Sequence, residues 1–373
     1  MKITVPTIDF GTSKIVTMVA QSNGERCDIV GSGAVPYSGY LQDGWNNPDE
    51  IRDVIRTAID QAQKTGNCRI HELNVGVPGM FTRVIVKEVH VSLTGPDPHV
   101  TAQDVRACFK LAEESGGDRI IHSAPAWFRV DDGKKTLSPV GIKGRELSAM
   151  IALVTADKYF IDDITYRLRD MDIEPREFYS TVAGEATYAL SQDERDKTAM
   201  LIDIGYLCTD VMVMEGDALI FHKCLDIGGG HISADIAEQL NIPFPFVEEK
   251  IKQTYSFNST NQDETYVIPA TEDEPARTVR RDEVTPIIEA KVEEIAEAIN
   301  KALEEGGVKL GKWSNVYLTG GGLILNKGGK DFLAGKLHRI IREAQRTNNK
   351  MTSHVFSSAV GLTTVSYTHL TLP

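Results

Sequence analysis

Two short turns, each holding an aspartate two residues before a glycine, carry the side chains with most to offer chemically. Asp9-Phe10-Gly11-Thr12-Ser13-Lys14 interrupts Ile3 to Val19, where apolar and polar residues alternate as in two strands joined by a tight turn. Such a turn points backbone amides inward, and glycine removes the Cβ that would hold a phosphate away. Asp9 is placed to hold a water of a bound magnesium ion, and the Lys14 ammonium to reach a β- or γ-phosphate. An ordinary hairpin turn has the same composition, so one copy decides little. The pattern recurs in Met200 to Met214, with Asp203, Gly205, Thr209 and Asp210 on a second strand, turn and strand about half the chain later. Two acid-bearing hairpins can grip one triphosphate from both sides, with Asp9 and Asp203 acting on magnesium through water.

A third element supports the pair. Asn315 to Leu318 reads as a short strand running into Thr319-Gly320-Gly321-Gly322, whose bare backbone suits the flat face of an adenosine. Asp226-Ile227-Gly228-Gly229-Gly230-His231 follows a strand, Ala218 to Leu225, and opens a helix, Ile232 to Leu240. There the Gly229 and Gly230 amides can face a nucleotide, although a plain helix entry reads the same way. The expected ligands are ATP and Mg2+. No residue is assigned as catalytic. Gly306 to Lys312 fits GxxxxGK, but Trp313 follows where magnesium needs a hydroxyl, so the match is accidental. The nine histidines form no HxxxH or HExxH pair, the five cysteines form no CxxC, and no GxSxG elbow occurs.

A repeat at half the chain's length predicts two duplicated α/β lobes rather than a solenoid. Between the hairpins, Ile51, Val54, Ile55, Ala58, Ile59 and Ala62 predict a helix over Asn47 to Lys64. Strands at Leu73 to Gly76, Arg83 to Val91, Ile120 to Val130 and Ser148 to Val154, with a helix at Thr101 to Glu114, outline a small inserted α+β subdomain. Phe257 to Asp282 reads as a loop or edge hairpin, Val284 to Glu305 as a long amphipathic helix, and Phe332 to Arg346 as a further helix. Lys330 to Arg346 is basic with Leu333, Leu337, Ile340 and Ile341 on one side, which fits either packing on the second lobe or a membrane surface. Ser366 to Pro373 reads as a structureless, non-native or truncated tail.

The 373 residues, 41% hydrophobic, suffice for a large core, and a formal net charge of −13 opposes binding to a phosphate backbone. The odd cysteine count argues against a disulfide framework and fits a reducing cytoplasm. No secretion signal is expected at Met1 to Phe10, and no segment approaches the roughly 18 to 20 apolar residues of a membrane span.

The order of the three glycine elements resembles the phosphate-1, phosphate-2 and adenosine motifs of the actin, Hsp70 and sugar-kinase superfamily. Within it, Ala124-Pro125-Ala126-Trp127-Phe128-Arg129-Val130-Asp131, Pro139 to Leu147, and Gly229-Gly230-His231-Ile232-Ser233-Ala234-Asp235-Ile236-Ala237 resemble the FtsA family of bacterial cell division. The resemblance covers residues 1–365. It implies an actin-like ATPase fold of two duplicated ribonuclease-H-like lobes with an inserted subdomain 1C. Subdomain 1A would be 1–82 and 164–195, 1C 83–163, 2A 196–245 and 310–365, 2B 246–309, and the tail 366–373. It further implies self-assembly into filaments and tethering of FtsZ to the inner face of the cytoplasmic membrane, with Glu249 and Lys252 at the adenosine. The FtsZ C-terminal tail would dock near Arg280, Arg281 and Lys291.

Two departures qualify this. Tyr206 and Leu207 stand where the family's second phosphate motif has glycines, and a left-handed backbone there would cost roughly 1 to 2 kcal/mol per residue. With Glu185 the only acid in Ser180 to Ala186, and offset from the expected water-activating place, turnover is expected to be slow or absent. The family's C-terminal amphipathic helix does not follow Leu362, so membrane binding is expected only through that missing element. A PilM-like pilus or secretion scaffold and, less favoured, a small-molecule kinase share the fold.

Overall fold

The computed structural model describes residues 3–22, 27–41, 44–114, 119–261, 263–270, 275–311, 314–344 and 353–371. Lys312, Trp313, Arg346, Leu372 and Pro373, which figure in the expectations above, lie outside them. Contacts divide the chain into two units, one of residues 1–201, 212–223 and 345–373, the other of 202–211 and 224–344.

The chain begins with the expected hairpin. Strand β1 (Ile3–Phe10) pairs antiparallel with β2 (Lys14–Ser22), from Ile3 opposite Ser22 to Phe10 opposite Ile15. β2 pairs with β3 (Cys27–Pro36), and the short β4 (Tyr40–Leu41) and β5 (Gly44–Trp45) follow. Helix α1 (Ile51–Gly66) buries Ile51, Ile55, Ala58, Ile59 and Ala62, the stripe the spacing predicts. It ends at left-handed Asn67, whose N–H donates to the Gln63 carbonyl. β6 (Glu72–Val77) runs parallel to β1, and β10 (Glu174–Ser180) parallel to β6, giving the order β10-β6-β1-β2-β3. Phe10 at the end of β1 packs edge-on to Phe160, which stacks on Phe81 at 4.9 Å between centroids, with Trp45 and Tyr40 in the same cluster. The Tyr40 hydroxyl donates to the Phe10 carbonyl at 2.8 Å, pinning the backbone next to Asp9.

Between β6 and β10 lies the inserted subdomain. β9 (Glu146–Ala156) is central, flanked by β7 (Thr82–Ser92) and β8 (Ile120–Val130), both antiparallel to it. α2 (Ala102–Glu114) packs on β7 and β9, and its Cys108 and Ala112 join Phe128, Leu147, Ala149, Ile151 and Leu153 in a separate core. α3 (Lys158–Arg169), which the sequence reading did not separate from its surroundings, is capped by the Asp157 side chain accepting from the Tyr159 N–H. α4 (Thr181–Ala189) and the four-residue α5 (Gln192–Arg195) complete this stretch.

A second sheet repeats the order of the first. β11 (Ala199–Ile204), β12 (Thr209–Glu215) and β13 (Ala218–Leu225) form three consecutive neighbours, and β16 (Asn315–Thr319) with parallel β17 (Ile341–Glu343) extend it as β13-β12-β11-β16-β17. In both sheets a three-strand run is followed on its first strand's free edge by two later strands, which is the duplication the repeated turns predict. α6 (Gly229–Gln239), the one-turn α7 (Phe244–Phe246) and a π-helical turn, Val247–Lys252, come next. The polar stretch resolves into an edge hairpin, β14 (Thr265–Ile268) with β15 (Arg277–Arg280), and then α8 (Arg281–Glu305).

Two expectations are corrected. Phe332 to Arg346 is not one helix: α9 (Gly329–Leu337) stops at left-handed His338, and Ile341–Glu343 enter the sheet as β17, with Ile341 buried. The branched pair Ile340-Ile341 is a better strand than helix pair once a partner, β16, is available. Nor is Ser366 to Thr371 structureless, because α10 (Ser357–Thr371) runs through it and buries Ser366 fully. Thr363 on α10 shares a 2.9 Å hydrogen bond with Thr7 on β1. Among the described residues no helix is long and apolar enough to cross a membrane.

Candidate nucleotide site

In the first unit the Asp9 turn is a built feature. The Gly11 N–H donates to the Lys14 carbonyl at 3.0 Å, and the Tyr37 N–H donates to the Ser13 carbonyl at 3.0 Å. Thr12 is buried, and the Lys14 ammonium lies 5.3 Å from the centroid of the Phe356 ring. Asp9 is only 5% exposed, and the Ser358 hydroxyl, in the first turn of α10, donates to its Oδ2 at 2.7 Å. Burial raises the Asp9 carboxyl above its ordinary value, against the lowering effects of Ser358, the Lys14 charge and the Phe10 amide.

The sign of that shift makes a prediction. A carboxyl whose folded value exceeds its unfolded one contributes stability below the unfolded value, near pH 4, and loses it as pH rises through the folded value. Asp9→Asn, which keeps an acceptor for Ser358, should therefore melt at or above the wild-type temperature at pH 7. The gap should close toward pH 4. Calorimetric melts across that range check it, and a variant that melts well below wild type at pH 7 would refute the assignment.

In the second unit three glycine segments, far apart in sequence, meet backbone to backbone. The Gly205 N–H donates to the Cys208 carbonyl at 2.9 Å, closing the second turn. Gly229 and Gly230 at the start of α6 donate to the Gly205 and Tyr206 carbonyls at 2.9 and 2.7 Å, and Gly322 donates to the Ile204 carbonyl at 2.7 Å. A Cβ on Gly229 would sit 2.4 Å from the Gly322 Cα, so these segments can approach only because neither carries a side chain. Gly320 has φ +87°, and a Cβ there would fall 2.0 Å from Asp203 Oδ1. Thr209 is fully buried and its hydroxyl donates to the Ile227 carbonyl at 2.7 Å. The Gly228 N–H donates to His231 Nδ1 at 3.0 Å, capping α6.

Lys252 projects from the π-helical turn into this cluster. Its ammonium donates to the Gly229 carbonyl at 2.6 Å and to Glu248 at 3.1 Å, and stands 5.8 Å from the Tyr206 ring centroid. Burial pulls its pKa down, partly offset by Glu248. Asn326 ties the same turn down, its amide donating to the Lys252 and Tyr255 carbonyls.

Within that unit the structure gathers Asp203, Gly205, Gly229, Gly230, Lys252, Gly320 and Gly322, and places Gly321 in the same turn. Glu249 is exposed, whereas the acid beside Lys252 is Glu248. The resemblance places Glu249 at the adenosine together with Lys252; Lys252 pairs instead with the residue four before it, an ordinary helical spacing. The strain expected at Tyr206 and Leu207 is absent: neither has a positive φ. The Tyr206 ring lies against Gly230, whose Cβ would come within 3.0 Å of it. Glu185 is buried in α4. Hard carboxylate oxygens suit magnesium, and Asp9 and Asp203 supply one set in each unit. The sequence reading missed Ser358, Glu248 and Asn326, which have no motif around them.

Of the three cations expected at a partner surface, Arg281 is 6% exposed, pairs with Glu264 at 3.1 Å and donates to the Ser256 carbonyl at 2.6 Å. Lys291 bridges Asp235 at 2.9 Å and Glu294 at 2.5 Å. Arg280 is the exposed member, beside Asp282 at 3.0 Å.

The repeated sheet order and the glycine-built phosphate-type turn define an actin-like protein. The same fold is found in the PilM–PilN type IV pilus biogenesis complex, at TM-score 0.65 and 17% identity over 98% of both chains. It is also found in MreB5 of Spiroplasma citri bound to AMPPNP, at 0.58 and 10% over 98% of this chain and 96% of that one. Residues 200–361 match the family model for cell division protein FtsA, and 79–155 match the SHS2 domain inserted in FtsA; together they span well over half the chain. FtsA of Pseudomonas aeruginosa is 26% identical over 84% of this chain and 76% of its own length. FtsA of Bacillus subtilis is 26% identical over 81% and 70%. The chain belongs to the FtsA family and is an actin-like cell-division protein.

Proposed function

We propose that this protein binds ATP with magnesium, assembles into filaments, and links FtsZ to the cytoplasmic membrane as a peripheral protein. The observation that carries the nucleotide reading is the meeting of the three glycine segments around Asp203 and Lys252, which brings bare glycine backbone beside a carboxylate and an ammonium. That backbone is suited to phosphate oxygens and a flat base, and MreB5, of the same fold, was solved with AMPPNP. Magnesium would neutralise phosphate charge, held through water by Asp203 in the second unit; in the first unit Asp9 offers the same chemistry, with Gly11, Thr12, Ser13 and Lys14 suited to phosphates. Gly205, Thr209 and Asp210 belong to the second phosphate turn, and Gly320, Gly321, Gly322, Glu249 and Lys252 to the adenosine side.

Calorimetric titration with magnesium-ATP tests this. The wild type should bind at micromolar concentration or tighter, and Asp203→Ala should lose at least tenfold, about 1.4 kcal/mol. No binding by the wild type would leave a nucleotide-free scaffold. Turnover is proposed to be slow, because the Tyr206 ring occupies the space over Gly230 where the family has no side chain. Tyr206→Gly should raise steady phosphate release several-fold; an unchanged rate would place the limit elsewhere.

The FtsZ C-terminal tail is proposed to reach the second unit near Arg280, the exposed cation of the original three. Arg280→Glu should weaken binding of an FtsZ tail peptide at low salt. Unaltered affinity would remove this placement while leaving the nucleotide reading intact.

A further inference from the structure

Cys208, Asp210 and Cys224 all lie in the second unit, and one ligand atom from each, two Sγ and a carboxylate oxygen, fall within 4.8 Å of one another. Cys208 closes the Gly205 turn through its carbonyl, Asp210 lies two residues on in β12, and Cys224 is near the end of β13. Fifteen residues lie between the two cysteines, so no spacing motif announces them; the β12–β13 hairpin brings them together. We propose that this trio is a binding site for one thiophilic divalent cation of the zinc class, with water as the fourth ligand.

Soft sulfur donors select such an ion over magnesium or calcium, and thiolate sulfur and carboxylate oxygen are each zinc ligands, three of them leaving a fourth position for water. A tetrahedral ion with metal–sulfur bonds of about 2.3 Å sets its sulfurs roughly 3.8 Å apart. The trio therefore needs to contract by about 1 Å or less, within reach of side-chain rotation. Binding displaces one proton from each thiol to solvent, and the ion then carries two thiolates and one carboxylate. The carboxylate is what separates this reading from a redox pair. Forming a disulfide requires a thiolate attacking beside a negative charge, which disfavours it, whereas a cation turns the same three charges from repulsive to attractive. Cys208 is buried and Asp210 and Cys224 are part-buried, so the ion would enter from the side of the latter two. Once bound, it ties the end of the second phosphate-type turn to β13.

Cobalt(II) titration of the full, reduced, metal-stripped chain without nucleotide tests the site independently of ATP binding. The expected result is thiolate-to-cobalt charge-transfer absorption together with tetrahedral visible bands, saturating at about one equivalent and bleached by zinc. Cys208→Ser and Cys224→Ser should abolish the charge-transfer band or cut it by half or more. Asp210→Asn should keep the band but weaken affinity at least tenfold, and Cys68→Ser should change nothing. If a serine variant fails to fold, release of about two protons per bound metal by the wild type decides. Absence of the band, its survival in both serine variants, or a Cys208–Cys224 disulfide that resists reduction would overturn the proposal.

Discussion

Gly320→Ala is expected to cost the second unit about 2 to 5 kcal/mol and to remove nucleotide binding in the same step. Two independent penalties act at that position. An alanine held at φ +87° sits in the left-handed region, costing roughly 1 to 2 kcal/mol. Its Cβ would also lie 2.0 Å from Asp203 Oδ1 and 2.3 Å from the Ile204 carbonyl oxygen, both on the strand end that presents the proposed magnesium acid. Overpacking against a fixed backbone adds about 1 to 3 kcal/mol, because the strand cannot move without breaking the sheet. Urea denaturation and magnesium-ATP titration of the same sample measure the two effects. Gly335→Ala, on α9 with nothing within 4 Å of its added Cβ, is the control and should be neutral or slightly stabilising. A Gly320→Ala protein that melts and binds as wild type does would show that the turn can open, and would undo the argument from backbone approach.

Arg281→Glu should be strongly destabilising, because the charge is not on the surface. The guanidinium stacks 4.3 Å from the Tyr255 ring centroid, pairs with Glu264 and satisfies the Ser256 carbonyl. Glu264 is part-exposed and can return to water, so losing the charged hydrogen bonds costs about 1.5 to 3 kcal/mol, and a glutamate placed in the buried site adds its own desolvation and repulsion from Glu264. Arg281→Met, which keeps the packing and removes the charge, should cost less. Denaturant midpoints of the two variants test the ordering, and equal midpoints would contradict it. Loss of FtsZ-tail affinity in Arg281→Glu would thus report damage to the fold, so Arg280→Glu is the informative variant for docking.

Much of the fold was legible because it was written in local terms. The stripe from Ile51 to Ala62, the alternation around Asp9, and the edges of β8 and β13 all follow from side-chain period alone, and the repeated aspartate–glycine turn predicted the repeated sheet. What was not legible depended on partners distant in sequence. Ile341–Glu343 became a strand because β16 offers an edge, and Ser358 reaches Asp9 from the far end of the chain. Lys252 lies in the glycine cluster, but its ion pair is with Glu248, one turn back, a contact that no motif marks. The thiol pair was invisible for the opposite reason: its spacing is set by a hairpin, not by a motif.

The first unit contains both ends of the chain, and its core is not complete until α10 lies against β1, β2 and α4. The Thr7–Thr363 hydrogen bond spans almost the entire length of the polypeptide. The second unit needs nothing beyond residue 344. During synthesis, then, the half that starts the chain must wait for its last helix, holding a finished sheet with one face still uncovered, while the half that begins later already has all its parts. The order of completion is the reverse of the order of translation, and the uncovered face of the waiting sheet is where a chaperone would find its work.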